Sequence, residues 1–139
     1  MARYNAEKQR EYDEAIAKIE KEERERFFNQ PHAAANFAYW SKMAHWTLDE
    51  AIALSFGKAP ELVHWQAISK YLALSRFAGE YQRRRELAVR AAQWKQLYDP
   101  VLPGIFLAWA KGLEIEVPAA LVEAVQVRGP IRDWKVLVR

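Results

Sequence analysis

A chain of 139 residues, 51% hydrophobic and 28% charged, has the size of one domain and the composition of a folded one; such a chain buries about two thirds of its unfolded surface without metal or disulfide. It contains no cysteine, which excludes structural disulfides, thiolate catalysis and cysteine-ligated zinc. A net charge of +3 and a pI near 9.2 permit contact with nucleic acid without requiring it. The first residues, MARYNAEKQREYDEA, lack the apolar core of a signal peptide, and no run approaches the ~18 apolar residues of a membrane span. The expectation is a soluble, cytoplasmic protein with no membrane contact.

From Tyr4 to Phe28 the chain is almost continuously charged and lacks Gly and Pro. It also carries opposite charges four apart, Glu14 with Lys18, Glu20 with Arg24 and Glu22 with Arg26. This spacing predicts a long helix, an arm over residues 1–29, with 30–139 as the helical core domain and its tail. The arm's apolar stripe is thin: Tyr12, Ile16 and Ile19, then Phe27 and Phe28. Such a stripe suits packing on its own domain, pairing with a copy of itself, or a protein partner. Residues 1–28 hold seven basic and eight acidic side chains, whereas 76–95 hold six basic and two acidic, so positive charge gathers in the second half.

Asn29-Gln30-Pro31 breaks the arm and begins a second helix, Pro31 to Ala44, dense in Ala and aromatics and expected to be largely buried. Thr47 followed three residues later by Glu50 is a capping box, so the next helix starts at Leu48. Leu48, Ala51, Ile52 and Ser55 or Phe56 share one face, and Gly57 supplies the left-handed closure. Pro60 suits the first turn of a following helix that runs to about Lys70 with Leu62, Val63 and Trp65. A long helix then covers Arg76 to Tyr98 and stops at Asp99-Pro100. Pro103 to Gly112 and Pro118 to Gly129 each place Pro near the start of a short helix and Gly just past its end. The last segment, IRDWKVLVR, alternates like a short strand and reads as an extended tail, with Trp134 as an interface residue. The expected fold is all-α: a compact orthogonal multi-helix domain around an aromatic core, with four or five of the six tryptophans inside.

The stretch LDEAIALSFGKAPELVHW is similar to the helix-turn-helix units of small bacterial DNA-binding proteins of the excisionase and MerR-like kind, through Leu48, Glu50, Ala51, Pro60, Val63 and Trp65. The resemblance implies that the second helix enters the major groove, where it offers Glu61, His64, Gln66 and Lys70 but no arginine. More broadly, WTLDEAIALSFGKAP and PGIFLAWAKGLEIEVP resemble strings in small uncharacterised bacterial proteins grouped as hypothetical. That second resemblance implies no activity and brings no functional residues.

Arg76, Arg83 and Arg90 recur every seven residues and share a face, with Arg84 close by. Such a stripe can follow a phosphate backbone, or its arginine stems can simply cover Leu87 and Trp94. Catalytic constellations are poor. His32, His45 and His64 are isolated, no Gly-x-Ser-x-Gly elbow surrounds a serine, and the dispersed glycines form no phosphate-binding loop. No catalytic, metal or cofactor residue is therefore assigned. The expected function is a non-enzymatic binding or regulatory module that self-associates or meets a protein partner through Tyr12, Ile16, Ile19, Phe27 and Trp134. The alternative is a DNA-binding helix-turn-helix protein that uses residues 47–70 and the basic helix 76–95, with contacts from His64, Gln66, Lys70, Arg76, Arg83, Arg84 and Arg90. A small enzyme built on His45 or His64 is a third class.

Overall fold

A computed structural model describes residues 2–127 of the chain. In chain order it contains α1 (Ala2–Glu25), α2 (Phe37–Trp40), α3 (Leu48–Ser55), α4 (Trp65–Ile68), α5 (Arg76–Gln93), α6 (Pro103–Gly112) and α7 (Ala119–Val127). Short 3-10 turns occupy Phe27–Asn29, Pro31–Ala33 and Ser69–Tyr71. The fold is all-α. Extended pairing among the described residues is confined to two isolated bridges, Ala34 with Lys58 and Trp46 with Val101. Among those residues no helix is long and apolar enough to cross a membrane. The extended tail and Trp134 lie outside the described residues.

The capping box places α3 at the centre. Thr47 Oγ1 accepts from the Glu50 amide at 3.1 Å while the Glu50 carboxylate accepts from the Thr47 amide at 2.8 Å. A remote carboxylate, Asp99, accepts from the Leu48 amide at 3.0 Å, so three free donors at this helix start are satisfied. Ala51 to Ser55 are all buried; α5 packs on α3, and α7 packs on both α2 and α6. An aromatic row runs through the core: Phe28 on Phe77 (5.1 Å), Phe77 on Phe56 (5.1 Å), Phe56 on Tyr81 (6.0 Å) and Tyr81 on Trp65 (6.5 Å).

Two expected helices are replaced by tertiary hydrogen bonding. Residues 31–44 do not form one helix. The Asn36 side chain accepts from the Tyr39 amide and starts the single turn α2, while the strand-like backbone before it bonds to 57–59, with Ala35 N to Gly57 O at 3.0 Å and Ala59 N to Ala33 O at 2.7 Å. Residues 60–70 likewise hold the single turn α4 and the start of the 3-10 turn at Ser69; α4 starts after His64, whose ring accepts from the Ala67 amide. The expected second helix of a helix-turn-helix is thus absent as a continuous element. The arm also ends early, at Glu25, because Asn29 and Gln30 side chains donate to the Glu23 and Arg24 carbonyls, both at 2.8 Å.

Helices α3, α5 and α6 all close with the same six-to-one and five-to-two bonds around a left-handed residue. Gly57 (φ 74°) does this for α3, but Lys95 (φ 61°) does it for α5 and Glu114 (φ 59°) for α6. Lys95 stops α5 at Gln93, five residues short of Tyr98, and Gly112 is the last residue of α6 instead of its closure. A left-handed residue with a Cβ costs about 1–2 kcal/mol, partly offset for glycine by its freer unfolded chain. Lys95→Gly is therefore expected to stabilise the fold by about 0.5–1 kcal/mol and raise the thermal midpoint by about 2–4 °C. A calorimetric scan that shows no rise or a fall contradicts this account of the α5 stop.

Candidate interaction surfaces

Every side chain of the arm from Arg3 to Glu22 is exposed. Tyr12, Ile16 and Ile19 stand on one face at spacings of four and three, with 63%, 37% and 58% of their surfaces open. Helical geometry puts Glu11, Asp13, Glu20 and Glu22 along the two borders of that stripe. Lys8, at 3.9 Å from Glu11, lies beside Tyr12 on this side of α1, and Arg24 follows Glu20 by one turn at the other border. Arg3, Arg10, Lys18 and Lys21 fall on the far side with Glu7, Glu14 and Glu25. The apolar stripe thus has an acidic rim.

The arm is fastened at its base. Glu23 accepts from Ser75 Oγ at 2.6 Å and from the Arg76 amide at 2.9 Å, which caps the start of α5 together with Ser75. Phe27, expected at an interface, instead packs against the core, edge-on to Phe28 (5.2 Å) and Tyr71 (6.0 Å). The anchoring carboxylate comes from the arm itself, so no local pattern around Ser75 announces it.

The outer face of α5 is the second open surface. Arg76, Arg83, Leu87 and Arg90 line it and Trp94 ends it, all exposed, with Glu80 among them. Leu87 is 49% open and Trp94 82%, so this tryptophan leaves the core in which most were expected. Trp40 and Trp46 are buried, and Trp65 and Trp109 half-buried. Trp94 sits at the C-cap, one residue before the left-handed Lys95. Beside this face lies a groove of about 490 Å³ lined by Trp65, Gln82, Arg85, Glu86, Arg90 and Trp94. The Arg85 guanidinium lies 4.6 Å over the Trp65 ring and Arg90 pairs with Glu86 at 2.8 Å.

Not all the nucleic-acid candidates reach this surface. Arg84 turns inward: its guanidinium lies 3.8 Å over Phe56 and donates to Ser55 Oγ and O at 3.0 and 3.2 Å. Burial draws this guanidinium below its ordinary range, against the opposing pull of Glu80 and Glu116. It is a bridge between α3 and α5, not a phosphate contact. His64 is spent on the α4 cap, whereas Gln66 and Lys70 are exposed. Arg76, Arg83 and Arg90 stay on one exposed face as their repeat implies.

Trp65 is held from beneath by a residue that sequence reasoning passed over. Asp49 accepts from the Trp65 amide at 3.1 and 3.0 Å through its two oxygens and from the Tyr81 hydroxyl. Burial, then the bond to Asp49, holds the Tyr81 phenol well above its usual range. His45 is exposed, and among the described residues no group of three His, Cys, Asp or Glu is placed to hold a metal ion. Compared with known proteins, the chain matches no protein-family model, no curated protein and no solved structure.

Proposed function

We propose that this protein is a non-enzymatic interaction module that self-associates through its N-terminal arm. The observation that carries the reading is the open stripe of Tyr12, Ile16 and Ile19 on a helix whose residues 3–22 touch no core of their own. A helix gains most of its stability in water by packing an apolar face, so an arm of this kind is completed by association. Three apolar residues make a narrow seam, which fits micromolar assembly.

In sedimentation velocity the intact chain is expected to dimerise at about 100 μM, a concentration that populates micromolar complexes. Ile16→Asp with Ile19→Asp should give a monomer with an unchanged thermal midpoint, since both side chains lie away from the core. Truncation must stop before Glu23, because Glu23 caps α5 and Phe28 is fully buried. An intact chain that stays monomeric overturns the reading.

A second reading, contact with duplex DNA, has support from one observation: Arg76, Arg83 and Arg90 are exposed along one face of α5. Against it weigh the Arg84 side chain turned to Ser55 and the ion pair of Arg90 with Glu86. Anisotropy of a labelled duplex that rises with protein and weakens steeply with salt favours this second reading.

A further inference from the structure

We infer that the surface receiving the arm is the outer face of α5 on a second copy, and that two copies exchange arms. This rests on the self-association proposed above and names its docking site. Two open stripes allow three pairings. Arm against arm brings the acidic rims of Glu11, Asp13, Glu20 and Glu22 together, and like charges across such a seam repel. Helix α5 against itself sets Arg83 and Arg90 beside their own copies. Arm against α5 sets a stripe bordered by Glu11, Asp13, Glu20 and Glu22 against a face that carries Arg76, Arg83 and Arg90 with Glu80 and the Glu86 paired to Arg90, so the excess charges are opposite around an apolar centre on each.

Register supports the same pairing. Tyr12 and Ile19 are seven residues apart, as are Leu87 and Trp94, so each apolar pair spans about 10 Å along its helix. The rims repeat at the same interval: Asp13 with Glu20 on the arm, Arg83 with Arg90 on α5. The stripes can therefore lie over one another with carboxylates beside guanidinium groups at two successive points. Residues 3–22 are exposed within one chain, so the arm does not lie on its own α5 and the receiving face belongs to another copy. Each copy has one arm and one such face. A one-way contact between unlike surfaces grows into an open chain, whereas mutual exchange closes a two-fold dimer that leaves neither surface unfilled. Trp94, 82% open and next to the Trp65 and Arg85 groove, is the anchor expected to matter most, since tryptophan and arginine dominate interface energetics.

The test uses two variants of the intact chain in sedimentation velocity: Asp13→Lys with Glu20→Lys on the arm, and Arg83→Glu with Arg90→Glu on α5. All four side chains are exposed, so thermal midpoints should match wild type. Each variant alone is expected to be monomeric at about 100 μM, and an equimolar mixture should restore the dimer because both exchanged contacts regain opposite charges. Trp94→Ala should weaken the wild-type dimer at least about 30-fold. If the α5 variant alone remains dimeric, the docking site is wrong while self-association stands. If that variant remains dimeric but loses binding to a labelled DNA duplex, the face belongs to nucleic acid and the inference falls. A wild-type chain that is monomeric removes both proposals.

Discussion

Replacing Trp46 with alanine is expected to cost about 3–5 kcal/mol, the range for deleting a fully buried tryptophan. The ring is completely enclosed and edge-on to Phe106 at 6.5 Å, and its indole N–H donates to the Trp40 carbonyl at 3.0 Å. Its backbone exchanges both hydrogen bonds with Val101, at 2.9 and 2.7 Å. One residue thus ties the end of α2, the start of α3 and the segment before α6. Alanine keeps the backbone bridge but leaves a cavity and removes one of two bonds to the Trp40 carbonyl, which still accepts from the Met43 amide at 3.2 Å, and a domain of this kind has only about 5–15 kcal/mol to lose. Trp46→Phe retains part of the packing and should cost less, about 1–3 kcal/mol, for the lost indole hydrogen bond and the smaller ring. Urea unfolding of both variants measures the difference; a loss below about 1 kcal/mol for alanine would sink the claim that the core is organised around this ring.

What could be read before the structure was local in origin. The Thr47 and Glu50 box, the Gly57 closure and the start of α6 at Pro103 rest on neighbouring residues, and each forms as its spacing requires. The charged arm is legible for the same reason. Residues 31–44 and 60–70 are not, because their Ala and aromatic content suits a helix while distant backbone partners decide otherwise. The left-handed stops at Lys95 and Glu114 carry no sequence mark, since glycine is the only residue that advertises that conformation. Along α5 the seven-residue arginine repeat was visible, but which neighbour turns inward depends on where α3 lies. Arg83 faces out and Arg84 faces Phe56, one residue and about 100° apart. Trp94 belonged to the same repeat as Leu87, and that shared interval was the clue to its exposed position.

Asp49→Ala is expected to cost about 2–4 kcal/mol, because the carboxylate makes charge-assisted bonds to the Tyr81 hydroxyl and the Trp65 amide while sitting in the first turn of α3, where negative charge is favoured. Tyr81→Phe should cost less, about 1.5–3 kcal/mol, since the ring keeps its stacking on Phe56 and Trp65. The pH dependence separates this pair from ordinary packing. With the folded pKa of Tyr81 raised above the unfolded value of about 10, its contribution is fully present below that pH. Above pH 10 the unfolded chain releases the proton and the folded one retains it, so stability falls as pH rises further. Tyr81→Phe should flatten that fall. Tyrosinate absorbance should show Tyr81 staying protonated above pH 10 until the chain unfolds. If Tyr81 ionises near pH 10 in a folded protein, the Asp49 and Tyr81 contact is not as described. The consequence reaches the surface, because Trp65 forms a wall of the groove beside Trp94 and Asp49 fixes its backbone. Tyr81→Phe, which leaves that amide bond intact, should therefore dimerise like wild type, whereas Asp49→Ala should weaken the dimer as well as the fold.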